Sequence, residues 1–110
     1  MYEQREIVIV PFPFSDLSAI KQRPVLILSK DIDNGNSEDL ITCGITSNLK
    51  DSKHSVLIDT LALEKGDIPV KSRVKIDKIF TLNKKIIKKS LAKLNTSVFD
   101  KVRKEFNQLV

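Results

Sequence analysis

The stretch Pro24-Val25-Leu26-Ile27-Leu28-Ser29 decides the architecture. It is apolar at nearly every position, without the alternation of a strand that has one wet face. A short run of this kind reads as a strand buried on both sides, as in a barrel. Upstream, Glu6-Ile7-Val8-Ile9-Val10 is short and β-branched, a second strand signal. Pro11 and Pro13 are expected to end it, because proline cannot donate to a sheet ladder. Ser15 to Gln22 then forms a polar connection.

Downstream, Asp31 to Ser37 reads as a turn-rich loop, with Asn34-Gly35 supplying positive-φ residues. Leu40 to Thr46 and His54 to Asp59 are the third and fourth strands, and Thr60 to Pro69 is expected to be loop. Ser72 to Thr81 alternates Val74 and Ile76 against Arg73, Lys75 and Asp77, so its charges share one face and its apolar side chains the core. After Leu82 the pattern changes. Asn83 to Ile87 suits a short helical turn. The C-terminal segment is a helix, with Ser97 and Asp100 spaced as a capping box and Val98, Val102, Phe106 and Leu109 on one stripe. The expectation is a mainly β, SH3-like curled sheet of five strands with a C-terminal helix.

The chain has 110 residues, enough for one domain spanning 1–110. Cys43 is its only cysteine, so no internal disulfide is available and a reducing compartment is the natural setting. The N-terminus lacks the order of a signal peptide, and no apolar run reaches the length of a membrane span, which points to the cytoplasm. The net charge of +5 is unevenly spread. Residues 1–70 carry a net of −4 and residues 71–110 a net of +9, with nine basic residues and one acid, Asp77, between Lys71 and Lys93. That asymmetry suits a face that attracts nucleic acid, or a solvated lysine-rich surface.

Metal and phosphate-loop chemistry find little support. The three glycines lack phosphate-loop spacing. Asp31 to Asp39 resembles a calcium loop, yet its glycine falls one position early and the twelfth residue is Thr42. One histidine and one cysteine make no ordinary zinc site. No metal and no other cofactor is expected.

Four segments, in this order, resemble the MazF/PemK family of toxins. They are Glu6 to Leu17, Arg23 to Ser29, Ile45-Thr46-Ser47, and Val74 to Leu82. The resemblance implies the MazF/PemK/CcdB-type toxin fold and a homodimeric endoribonuclease. Such an enzyme cuts single-stranded RNA at short sequences without a metal, and an antitoxin silences it through an acidic, partly disordered tail. By position, Arg23 and Thr46 match the family's catalytic arginine and threonine. Asp77 matches an acidic position in substrate contact, Lys75 stands where some members have arginine, and Ser47 and Lys78 complete the expected RNA-binding set.

Metal-free cleavage turns the ribose 2′-OH on its neighbouring phosphorus. A guanidinium grips two phosphate oxygens, which suits Arg23 to the extra charge of the phosphorane. Thr46 suits positioning of the same phosphate. With His54 as the only histidine, a paired-histidine mechanism is excluded, and the residues leave general base and general acid unassigned. Each residue also has a structural reading: Arg23 at a strand start, Thr46 and Ser47 at a turn, Asp77 in a salt bridge, His54 in support, Cys43 in the core.

This sequence departs from the family at three places. Arg5 precedes Glu6 where the family has glycine, the Ser15–Gln22 connection is short and lacks a histidine, and Lys75 has no guanidinium fork. Two rival functions stand beside the nuclease. A gyrase-poisoning toxin of the same fold relies on aromatic C-terminal residues, whereas this chain has no Trp and ends Asn107-Gln108-Leu109-Val110. A non-catalytic nucleic-acid-binding module stacks bases on aromatics, and only Phe80 lies in the basic region.

Overall fold

The computed structural model describes residues 2–13 and 20–110. Within them lie seven strands: β1 (Glu6–Pro13), β2 (Ile20–Ile27), β3 (Asp39–Thr46), β4 (Ser55–Ile58), β5 (Leu63–Gly66), β6 (Ser72–Asn83) and β7 (Lys89–Leu94). Two helices accompany them, α1 (Asp31–Asn36) and α2 (Thr96–Leu109). The strands form one antiparallel sheet in the order β4-β6-β3-β2-β1-β7-β5.

Curvature follows from chain length. Laid flat, six inter-strand gaps of about 4.8 Å would separate the edge strands β4 and β5 by about 29 Å. Yet β4 ends at Ile58 and β5 begins at Leu63. Five residue steps reach at most about 18 Å. The sheet must therefore curl until its edges approach. A 3₁₀ turn at Thr60–Ala62 closes the gap, capped by the Asp59 carboxylate accepting from Leu61 N at 2.9 Å.

Curling gives two apolar clusters, one on each side of the sheet strands. Ile7, Leu26, Cys43, Val74, Ile76 and Leu94 pack with Phe99 and Val102 of α2. Val8, Val10, Val25, Ile27, Leu40, Leu82 and Ile87 form the other. Alternate residues of β1 and β2 enter opposite clusters, which is why both strands read as unbroken apolar runs. In β6, Val74 and Ile76 are fully buried, as the alternation requires.

Several sequence expectations are corrected. The strands number seven, not five, because β5 lies in the stretch expected to be loop and β7 in the stretch left without a strand. Leu63-Glu64-Lys65-Gly66 shows no period of two; it holds its place as a short, charged edge paired to β7. Gly66 sits at φ 77°, and a Cβ there would meet the Leu91 carbonyl oxygen at 2.2 Å, so the backbones approach closely because the residue is glycine.

β1 runs through both prolines to Pro13. β7 pairs with it only from Glu6 to Ile9, so beyond Ile9 β1 is an edge on that side, where a missing N–H is tolerated. Of the expected Ser15–Gln22 connection, residues 15–19 lie outside the described residues, while Ile20, Lys21 and Gln22 belong to β2.

Asp31 to Asn36 is a short helix and neither Asn34 nor Gly35 has positive φ. Tertiary contacts override the turn chemistry: Asn34 is buried, its Nδ2 donates to Ser29 O at 2.9 Å, and Ser29 Oγ donates to its Oδ1 at 2.5 Å. Among the described residues, the positive-φ residues other than glycine are Arg5, at 79°, and His54, at 57°. Arg5 holds a conformation natural to glycine, and its Nη1 donates to Glu64 Oε1 at 2.9 Å and to Leu94 O at 2.8 Å. Those contacts hold the β1 entrance against a backbone cost of about 1 kcal/mol.

The expected helical turn is present as a 3₁₀ turn at Lys84–Ile86. The capping box is not. Asn95, not Ser97, caps α2, its Oδ1 accepting from Val98 N at 2.8 Å. Phe99 and Val102 are buried beneath the helix, with Val98, Phe106 and Leu109 packed partly against the same cluster. Cys43 is buried, and loss of solvent, then the charge of Asp77, pushes its thiol from 9.0 up to about 12. No described helix is long and apolar enough to cross a membrane.

Candidate active-site groove

A groove of about 830 Å³ opens where β2, β3 and β6 meet. Two features of strand pairing build it. The β2–β3 ladder pairs Val25 with Gly44, leaving Arg23 and Thr46 each two residues beyond that pair at the same end. Both line the groove. The second feature is a break in the β3–β6 ladder. Cys43 pairs with Ile79 but Gly44 pairs with Lys75, so Ile76, Asp77 and Lys78 bulge out of register. A bulge bends its strand and re-aims side chains. Ile76 turns into the core while Asp77 and Lys78 turn to the groove. Gly44, opposite, has its Cβ position 3.6 Å from Lys78 Cβ, an ordinary contact.

Of the six residues expected at the site, Arg23, Thr46, Lys75, Asp77 and Lys78 share this groove. Ser47 is exposed and does not line it. Thr46 does serve the turn, since its Oγ1 accepts from Asn48 N at 3.1 Å. A hydroxyl that accepts still has its own proton to donate, so this bond orients Thr46 without consuming its donor. Lys75 Nζ donates to Ser52 Oγ at 2.8 Å and lies 3.8 Å from Asp77 Oδ1, an ion pair within one strand rather than across strands.

The groove's other wall comes from residues that no sequence pattern singled out. Asn48, Lys50, Asp51 and Ser52, in the connection from β3 to β4, all line it, and Phe80 offers an aromatic edge. Polar residues between strands read as solvated loop, and only the fold brings them over the groove. The basic run also divides. Among its nine cations, Lys75 and Lys78 line the groove, while Lys93 is 3.3 Å from Glu3 Oε1 and Lys84 donates to Asn34 O. The polycationic segment is thus not one face.

His54 ends the connection, its Nδ1 buried 3.6 Å from Glu105 Oε2 and with no hydrogen-bond partner among the described residues. Its carbonyl accepts from Ile76 N at 3.0 Å, pinning the bulge from β4's side. Its place is structural. No group of three His, Cys, Asp or Glu side chains among the described residues is arranged to hold a metal ion.

The groove thus joins Arg23 of β2 and Thr46 at the end of β3 to a bulge that carries an acid between two lysines. Residues 3–110 match the family described as PemK-like, MazF-like toxin of type II toxin–antitoxin system. This chain belongs to that family. Solved toxins share its fold. In the MazE–MazF crystal structure (Form III) from Deinococcus radiodurans the match has a TM-score of 0.80, 22% identity, and covers 98% of this chain and 94% of that one. The Mycobacterium tuberculosis toxin MazF-mt6 gives 0.76 at 21% identity, covering 94% of each. A mycobacterial endoribonuclease in complex with its cognate antitoxin gives 0.77 at 18%, covering 98% and 93%. No curated protein matches by sequence. At identities near 20%, what these structures have in common with this PemK-like, MazF-like chain is the fold.

Proposed function

We propose that residues 1–110 form a single toxin domain that is a metal-independent endoribonuclease, cutting single-stranded RNA at short sequences and so arresting translation and growth. The observation that carries this reading is the convergence of Arg23 and Thr46 in one groove with Lys75, Asp77 and Lys78. The 2′-oxygen of the nucleotide 5′ to the cut attacks phosphorus, the bond to the 5′-oxygen breaks, and the products carry a 2′,3′-cyclic phosphate and a 5′-hydroxyl. Arg23 stabilises the charge on the phosphorane oxygens, where one well-placed donor is worth roughly 3 kcal/mol of barrier. Thr46 donates a hydroxyl hydrogen bond to the same phosphate and positions it. Asp77 and Lys78, presented by the bulge, contact the flanking nucleotides. Lys75 acts from behind them, since its ammonium already serves Ser52 and Asp77.

The toxin works in the cytoplasm as a homodimer, and an antitoxin with an acidic, partly disordered segment silences it. The solved relatives that carry antitoxins support this reading. Sedimentation at micromolar concentration is expected to give twice the monomer mass; a monomer would contradict the dimer. For the chemistry, a cut site located on a long RNA is rebuilt as an oligonucleotide with a single 2′-deoxy sugar 5′ to the scissile bond. Cleavage is expected to vanish at that bond alone. A cut that survives the missing hydroxyl would rule out the proposed nucleophile, and binding without any cut would leave a non-catalytic module.

A further inference from the structure

Behind the groove, Arg73 makes contacts that the site residues themselves do not explain. It lies on β6 two residues before Lys75, its side chain only 13% exposed, and it does not line the groove. Its Nε donates to Leu49 O at 3.1 Å, its Nη1 donates to Ser55 Oγ at 3.2 Å, and the same nitrogen is 3.4 Å from Asp51 Oδ1. All three partners lie in or just after the connection from β3 to β4. The chain of bonds continues inward. Ser55 Oγ donates to Ser52 O at 2.7 Å, Ser52 Oγ donates to Ser55 Oγ at 3.2 Å, and Lys75 Nζ donates to Ser52 Oγ at 2.8 Å. One guanidinium thus ties down both ends of a seven-residue segment, 49–55, whose groove-facing members include Lys50, Asp51 and Ser52.

We propose that Arg73 is a positioning residue that fixes the 48–52 wall of the groove, and that this wall selects the RNA sequence bound. This rests on the endoribonuclease reading for its substrate. The mechanism is ordering in advance. A connection held before RNA arrives pays less entropy on binding, and presents Asn48, Lys50 and Ser52 at fixed places against the bases. A partly buried guanidinium with two nitrogens engaged does this where an ammonium would not, because one point donor cannot reach Leu49 O and Ser55 Oγ from separate atoms. Arg73 itself touches no substrate.

The test compares wild type with Arg73→Ala, Arg73→Lys and Ser55→Ala, with melting temperature as a control for folding. Amide hydrogen exchange of residues 48–54 without RNA reads the wall directly. Cleavage of a long RNA in EDTA gives kcat, KM and the cut map, and an uncleavable 2′-O-methyl oligonucleotide gives Kd alone. In Arg73→Ala, exchange across 48–54 is expected to quicken at least tenfold, KM and Kd to rise roughly tenfold, kcat to stay within about twofold, and extra cut sites to appear. Arg73→Lys restores none of these, and Ser55→Ala shifts them in the same direction by less. If Arg73→Ala does not fold, those two carry the comparison.

Unchanged exchange in a folded variant would overturn the latch. Faster exchange with KM, Kd and cut map unchanged would show that the wall does not read RNA. A fall in kcat alone would make Arg73 part of the chemistry and overturn its positioning role. Wild type that binds the oligonucleotide but cuts nothing would sink the nuclease reading while the Kd comparison still decides the wall; no binding at all would sink both.

Discussion

At the scale of single residues, two side chains of opposite character frame the groove's chemistry and its support. Arg23 stands within β2 rather than at its start, beyond the last pair of the β2–β3 ladder, half-buried and lining the groove. Removing its fork is expected to slow cleavage by roughly 10²–10³-fold with little effect on melting temperature, measured by single-turnover kinetics on a labelled RNA. Lysine in its place should recover only a small part, since a point charge cannot grip two oxygens. Cys43, by contrast, lies under the groove floor with its thiol pushed up to about 12 by burial and then by the Asp77 charge. The folded chain holds that proton more tightly than the unfolded chain does. Below pH 9 both states keep it and stability is untouched; between pH 9 and 12 the unfolded state ionises first, so stability falls as pH rises. A thiol reagent at pH 8 is expected to leave the native protein unlabelled and to label one cysteine per chain in guanidinium. Rapid native labelling would show that the floor opens.

At the scale of elements, what a strand or helix needs from its neighbours decides how far a sequence can be read. The apolar runs of β1, β2 and β3 and the alternation of β6 declare themselves because burial alone sets those patterns. β7 does not, since Lys93 is buried in it through its partner Glu3, a fact held in another element. α1 forms on Asp31-Ile32-Asp33-Asn34-Gly35-Asn36, a turn composition, because Asn34 and Ser29 satisfy one another across the β2–α1 junction. The helix cap is a nearer miss. Ser97 fits a motif by spacing, yet the chain leaves β7 at Leu94 and Asn95 takes the cap, also donating from Nδ2 to Leu61 O at 3.2 Å. Asn95→Ala is therefore expected to cost about 1 kcal/mol or somewhat more in urea unfolding, and Ser97→Ala to lie within about 0.5 kcal/mol of wild type. Equal effects would contradict this assignment. The site divides the same way. Arg23, Thr46, Lys75, Asp77 and Lys78 were legible through a family resemblance carried on strands, whereas Asn48, Lys50, Asp51, Ser52 and the Arg73 latch belong to a polar connection that only the curled sheet folds over the groove.

At the scale of the whole molecule, curling the sheet until β4 and β5 approach does more than bury two apolar clusters. It divides the basic C-terminal half: Lys75 and Lys78 join Arg23 and Lys50 as the groove's four cations, while others of the basic run serve as braces or lie elsewhere on the surface. These four cations set the upper bound on phosphate contacts, so log affinity for single-stranded RNA is expected to fall against log salt with a slope no steeper than roughly −3. A slope near −6 would mean that the wider lysine-rich surface joins in, and one near zero that the groove does not hold phosphates. On the proposed function, this groove cuts RNA without a metal. The most direct measurement is incubation of the purified toxin, and of Arg23→Ala, with a long single-stranded RNA in excess EDTA, followed by mapping of the ends. Discrete cuts bearing 2′,3′-cyclic phosphates, lost in the variant, are the predicted result; RNA left intact by the wild-type protein, or cut equally by both, would contradict it.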